Sequence, residues 1–229
     1  MNKRILVANW KQSGTRVNAI AWTDTFDRER GVFTVDTQIV VCPPLKALDL
    51  IKQEVKNRKL PIAVGVQDID LHTFEGEKNT GSVSPALLAD SASYAIIGHS
   101  ETRRNLQLTD GDVAKKVTIA KKHNLIPIVC ISEIEQVAAL KKLLGEFYGI
   151  IAYEPLFAIG TGNPDTPEGA NDVASAVKEM FPEVAVLYGG SVDGSNVKEF
   201  LNQVQISGVL VGNRSVDPAF FLEIVKNAH

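Results

Sequence analysis

Ile150-Ile151-Ala152-Tyr153-Glu154-Pro155-Leu156-Phe157-Ala158-Ile159-Gly160-Thr161-Gly162 reads as a strand, an acid and a loop in immediate succession. Ile150 to Tyr153 is a short apolar run with β-branched residues, the pattern of a buried strand. Glu154 follows at once, and Pro155 removes the next ladder donor and stiffens the exit. Leu156 to Gly162 is small or apolar, with glycine at 160 and 162 and little to anchor it to a core. A carboxylate at a strand's end beneath such a loop suits a general base that a lid shields from water. A structural Glu-Pro turn is the bland reading, because neither Glu-Pro nor Gly-x-Gly is specific by itself. The flanking chain decides between them.

Outward from this stretch the same pattern recurs. Apolar runs occur at Ile5–Trp10, Gln38–Cys42, Ile62–Gln67, Tyr94–Ile97, Ile126–Ile131, Val184–Tyr188 and Gly208–Val211. They are continuous rather than alternating in polarity, as strands covered on both faces are. Helical stripes lie between them: Leu45, Leu48, Ile51 and Val55; Val173, Val177, Met180 and Phe181; Val197, Phe200, Leu201 and Val204. Thr166-Pro167 and Asp217-Pro218 each place an N-cap residue before a proline at the first helical position. Eight strands alternating with helices, without a linker, predict an α/β fold, a closed parallel (β/α)8 barrel over residues 1–229 as one domain. The competing open sheet wants a Gly-x-Gly-x-x-Gly turn after its first strand, and Trp10-Lys11-Gln12-Ser13-Gly14 is not one.

Composition narrows the function classes. The 229 residues are 45% hydrophobic and 22% charged, with a formal net charge of −3. A weakly acidic chain without a basic cluster speaks against nucleic acid or an anionic membrane as partner. Any anionic ligand must then be held by a few local donors. Cys42 and Cys130 each close an apolar run and share no metal-type spacing, so they read as buried free thiols in a reducing compartment. MNKRILVANWKQ has no signal-peptide apolar stretch and no run approaches a membrane span, which predicts a cytoplasmic protein.

In a barrel the chemistry sits where strands end. Asn9 and Lys11 flank Trp10 at the end of the first strand, with an i, i+2 spacing that aims both the same way. Lys11 supplies a compact cation for a phosphate or an oxyanion; the bland reading is a solvated lysine. Ile97-Gly98-His99-Ser100-Glu101-Thr102-Arg103-Arg104 puts a histidine just past the fourth strand, open either to a catalytic role or to a serine-capped turn with a structural His. Tyr188-Gly189-Gly190-Ser191 and Val211-Gly212-Asn213-Arg214 end the last two strands. Glycines there let backbone N–H groups approach an anion, Ser191 adds a hydroxyl, and phosphate sites in barrels are built from these two loops.

Taken together in this order, Asn9-Trp10-Lys11, the His99 segment, the Glu154 strand with its loop, and the two glycine turns resemble triosephosphate isomerases. The resemblance spans essentially the whole chain. It implies the TIM barrel and interconversion of glyceraldehyde 3-phosphate and dihydroxyacetone phosphate, in glycolysis and gluconeogenesis, without cofactor or metal. It implies Glu154 as the base, His99 (as neutral imidazole) and Lys11 as stabilisers of the enediolate, with Glu101 bordering the lysine. Asn9, Lys11, Gly160, Ser191, Gly212 and Asn213 would then bind the phosphorylated triose. The loop Asp68 to Ser84, with Gly76, Thr80 and Gly81, is similar to the family's subunit-docking loop and implies a homo-oligomer, a dimer first of all. Ser82 stands where the family usually has Glu, Phe157 where it has Trp, and Asn213 where it has a second glycine. Asparagine tolerates a left-handed backbone, so Asn213 is expected to keep its N–H on the phosphate. Two other readings stay open: a barrel enzyme acting on a longer phosphosugar, and a barrel kept as a phosphate-binding scaffold. A Schiff-base aldolase would want a lysine inside a central strand, and the later strands have none.

Overall fold

A computed structural model of the chain describes residues 3–71 and 80–229. Its first half runs β1 (Arg4–Asn9), α1 (Arg16–Arg28), β2 (Thr37–Cys42), α2 (Leu45–Asn57), β3 (Ile62–Val66), α3 (Pro85–Ala89), β4 (Tyr94–Ile97), α4 (Ser100–Leu106) and α5 (Asp110–Lys122). The second half runs β5 (Ile126–Ile131), α6 (Ile134–Leu144), β6 (Ile150–Tyr153), α7 (Pro167–Met180), β7 (Ala185–Tyr188), α8 (Val197–Leu201), β8 (Gly208–Val211) and α9 (Pro218–Asn227). The eight strands form one closed parallel barrel in sequence order, as the alternation predicts.

Strand parity makes two apolar layers. Val7, Val40, Cys42, Ile96, Ile128, Cys130, Ile150, Ala152, Leu187 and Leu210 fill the barrel interior. Residues between them, such as Leu6, Ala8, Val129 and Ile151, pack outward with helix residues such as Trp22, Val113 and Phe221. The period of two that sends Val7, Ala152, Leu187 and Leu210 inward also sends Asn9, Glu154, Gly189 and Gly212 to the inner row at the barrel mouth.

The seam between β1 and β8 is tight. The ladder pairs Ile5 with Gly208 and Ala8 with Val211. A Cβ on Gly208 would run into the Ile5 carbonyl, so the closing strand needs glycine at this point. The Arg4 guanidinium also reaches the Ala228 carbonyl at the end of α9.

Both proline-led starts are capped: Thr166 accepts the Gly169 N–H, and Asp217 accepts the N–H groups of Ala219 and Phe220. Two stripes are shorter than their periodicity suggests. Leu45 is 54% exposed, leaving Leu48, Ile51 and Val55 as the buried face of α2. α8 stops at Leu201, and Val204 lies beyond it, 87% exposed. Trp10 has left β1 and is buried edge-on against Trp22, and Gln67 lies outside β3. Cys42 and Cys130 are buried free thiols. No helix among the described residues is long and apolar enough to cross a membrane. Gly76 and its neighbours from 72 to 79 lie outside the described residues; Ser82, at the loop's far side, donates to the Asp70 carboxylate.

Candidate active site

Lys11 is placed by backbone strain and not by strand parity. Its φ of 51° is left-handed, a conformation a lysine adopts only when its surroundings impose it. Asn9 Oδ1 accepts the Lys11 N–H at 3.1 Å, and Gln67 Nε2 donates to the Lys11 carbonyl at 2.7 Å and to the Cys42 carbonyl at 3.0 Å. Lys11 Nζ lies 2.6 Å from Glu101 Oε1. Burial pushes the Glu101 carboxyl up, but the hydrogen bond and charge of Lys11 more than offset it and hold it below its ordinary value.

His99, not Ser100, caps α4. Its Nδ1 accepts the Glu101 N–H at 3.2 Å, which assigns the proton of the neutral ring to Nε2. Nε2 faces Glu154 Oε1 at 3.4 Å. Burial pulls the imidazole down, while the facing carboxylate outweighs that and the net shift is upward. The capping bond opposes a second proton on Nδ1, the arrangement that the neutral imidazole of the family resemblance requires.

Glu154 leaves β6 with its N–H on the Ile131 carbonyl at 2.8 Å, and is 3% exposed. Two buried polar atoms here, His99 Nε2 and Glu154 Oε2, have no hydrogen-bond partner. A buried donor and a buried acceptor left unmatched side by side mark a place for a polar ligand. Cys130 lies under the acid; burial and then the Glu154 charge push its thiol well up, so it stays protonated.

The loop after β6 makes a 3-10 turn at Leu156–Ala158. Leu156 and Phe157 are 66% and 60% exposed, whereas Ala158 is fully buried. Three hydrogen bonds tie this loop to the end of β7. Ser191 Oγ donates to the Ala158 carbonyl at 2.7 Å and accepts the Gly162 N–H at 3.0 Å; Tyr188 Oη accepts the Asp165 N–H at 2.7 Å.

The glycine turns therefore serve partly another purpose than the sequence suggests. A Cβ on Gly190 would fall 2.5 Å from Tyr188 Oη and 2.8 Å from Ala158 Cβ, so this glycine lets the loop seat. The only proton of the Ser191 hydroxyl goes to Ala158, which leaves the Ser191 backbone N–H for an anion. Ser191 itself, with φ of 52°, holds the left-handed conformation expected at Asn213. Asn213 instead opens a 3-10 turn through Val216 and has no positive φ.

A cavity of about 310 Å³ joins these parts; Lys11, Glu154, Gly160, Ser191, Gly212 and Asn213 all line it. An adjoining one of about 520 Å³ is lined by Asn9, Lys11, His99, Glu101 and Asn213. Every site residue expected from the sequence thus lies at one mouth. The sequence reading missed Gln67, Tyr188 Oη and Cys130 as parts of the site. Gln67 alone carried a signal, a polar residue closing an apolar run.

Comparisons with known proteins give the family. The family model described as "Triosephosphate isomerase" matches residues 4–228. Proteins named triosephosphate isomerase from Mesomycoplasma hyopneumoniae (strain 7448), Gloeobacter violaceus and Dictyoglomus turgidum are 34%, 34% and 35% identical to this chain. These alignments cover 99% of this chain, and 100%, 99% and 100% of the three relatives.

Proposed function

The chain belongs to the triosephosphate isomerase family, and from that premise we propose that Glu154, His99 and Lys11 perform its reaction. The activity is interconversion of D-glyceraldehyde 3-phosphate and dihydroxyacetone phosphate, an aldose–ketose isomerisation of glycolysis and gluconeogenesis. The observation that carries the residue assignment is the pair of orphaned atoms, His99 Nε2 and Glu154 Oε2, buried within one cavity mouth beside Lys11. A carbonyl oxygen would accept from Nε2–H, and the carbon next to it would present its hydrogen to the carboxylate.

Glu154 takes that proton, the C–H electron pair becomes the C=C bond of an enediolate, and the carbonyl π pair moves onto oxygen. His99 and the Lys11 ammonium stabilise the oxygen charge, and His99 Nε2 moves the proton between the two oxygens. Protonated Glu154 then returns its proton to the neighbouring carbon. Gly160, Ser191, Gly212 and Asn213 hold the phosphate, Asn9 orients Lys11, and Glu101 keeps the lysine placed while ceding part of its charge. The loop from Pro155 to Gly162 excludes water, a lid device for which this family is itself a standard case.

Residues 1–229 act as one domain, as a homodimer in the cytoplasm. The dimer is supported by the apolar surface around the loop Asp68 to Ser84. Val83, Leu87 and Leu106 are exposed there, and Leu71, Leu88 and Leu108 line a cavity of about 600 Å³ with Leu106 and Val83. Isomerisation run in deuterated water tests the chemistry. Solvent deuterium should appear on the carbon that receives the proton, and Glu154→Gln should lose both turnover and exchange. Undiminished turnover, or full exchange, in Glu154→Gln would sink the assignment. Sedimentation at micromolar protein tests the dimer, which an active monomer would exclude.

A further inference from the structure

The charges around the 310 Å³ cavity do not balance for an anion. Its charged lining residues are Lys11, Glu154, Asp193 and Arg214. Lys11 is committed to Glu101 at 2.6 Å. Glu154 is an acid whose role requires it ionised. Asp193 turns its Oδ1 into its own loop, accepting from the N–H groups of Ser195 and Asn196 and from the Ser195 hydroxyl. A phosphate entering this cavity therefore meets two carboxylates and one half-neutralised ammonium. Besides the backbone N–H groups of the loops, the lining offers one further cation, Arg214.

Arg214 makes no ion pair within 4 Å and no side-chain hydrogen bond among the described residues, and its charge acts on Asp193 only from a distance. It is exposed and lies one residue past Asn213 in the loop after β8. Its guanidinium lies 3.9 Å from the centroid of the Phe220 ring. Stacking uses the π face of a guanidinium and leaves its edge N–H groups in the plane, free for the two-point grip that oxyanions accept. The ring also restricts a long side chain, so less rotamer freedom remains to be lost on binding. Phe220 lies in the first turn of α9, where its backbone N–H caps onto Asp217.

We propose that Arg214, braced on Phe220, is a substrate-binding and specificity-determining residue that supplies the unpaired positive charge for the phosphate dianion. The proposal rests on the isomerase reading and adds to it a contact peculiar to this loop. It gives Asn213-Arg214 a shared purpose: a backbone N–H from one and a charged fork from the other. It also predicts that affinity follows the charge of the ligand more than its carbon chain.

Titration calorimetry with inorganic phosphate on wild type, Arg214→Lys and Arg214→Gln tests this. Arg214→Gln should weaken phosphate about tenfold, and Arg214→Lys, which keeps the charge but not the fork, by about threefold. The KM for triose phosphate should rise in parallel while kcat holds within about twofold, the signature of binding shared by ground and transition states. The fall of phosphate affinity with added salt should be shallower in Arg214→Gln than in wild type. Equal phosphate affinity in wild type and Arg214→Gln, even with a lower melting temperature, would overturn the proposal, leaving Arg214 a structural brace for Phe220. Equal losses in the Lys and Gln variants would overturn it as well, since charge would then not be the cause. A wild type that binds phosphate through Arg214 but does not isomerise triose phosphate would sink the isomerase reading and keep this one.

Discussion

The two sides of the barrel mouth are held by different means. On the β1–β4 side, Lys11 is gripped at its N–H, its carbonyl and its ammonium by Asn9, Gln67 and Glu101, and His99 is locked by the cap it makes. On the β6–β7 side, the loop after Glu154 exposes Leu156 and Phe157 and is attached through two hydroxyl groups, those of Ser191 and Tyr188. The first arrangement stores strain at a left-handed lysine to fix an electrophile. The second can be undone by breaking three hydrogen bonds, at about 0.5–1.5 kcal/mol each in net terms. A site that must admit a substrate and then exclude water needs one wall of each kind, and Glu154 stands where they meet.

The comparison can be broken most severely at that junction. Glu154→Gln keeps the shape but cannot accept a proton, and should lower kcat by about a thousandfold with phosphate affinity nearly intact. Steady-state kinetics beside phosphate titration would show it; a drop under tenfold would detach Glu154 from the chemistry. On the β6–β7 side, Gly190→Ala puts a methyl against Ala158 and Tyr188. Overpacking of about 1–3 kcal/mol should fall on the seated loop and cost about tenfold to a hundredfold in kcat/KM. The global melting temperature should barely move, and an unchanged kcat/KM would show that the loop need not seat here.

On the fixed side the expected cost is in stability. Gln67→Leu strips the donor from two carbonyls and should lower unfolding free energy by about 1–3 kcal/mol in urea titration, with a raised KM as Lys11 relaxes. Wild-type stability would remove Gln67 from the framework. A smaller effect separates the walls by pH. Because Lys11 lowers the Glu101 carboxyl, its contribution is present above the ordinary carboxylate range and is lost as pH falls through the lowered folded value. Acid should therefore destabilise wild type more than Glu101→Gln, and parallel acid melts would refute the pairing. Least of all should change at Asn213. With no left-handed backbone to strain, Asn213→Val and Asn213→Gly should both keep KM within about tenfold, or roughly 1.4 kcal/mol. A far larger loss in the valine variant alone would restore the strained conformation that the sequence suggested.

What the sequence made legible follows the same division. The strands were readable because burial on both faces leaves unbroken apolar runs, and parity then carried Asn9 and Glu154 to the mouth. Both proline-led helix starts were readable because the cap is local chemistry. Val204 misled, since an apolar residue in helical register need not be inside the helix. The left-handed turn at Lys11 and the service of Gln67 were hidden, because each exists only once β1, β2 and β3 are side by side. Ser191, and not Asn213, takes the left-handed conformation for a similar reason: which residue of a short turn takes positive φ is settled by the loop packed against it, not by its own tolerance.

The seam between β1 and β8 has a consequence for how this molecule is made. On a ribosome β1 emerges first, yet the strand that covers its free edge begins at Gly208. For most of synthesis that edge has no neighbour, and the fold cannot close around an intermediate. Lys11 meets Gly212 and Asn213 only when β8 docks, with no room at Gly208 for any side chain. Activity in a nascent chain would therefore report complete closure and nothing short of it, making catalysis itself the readout of the last folding event.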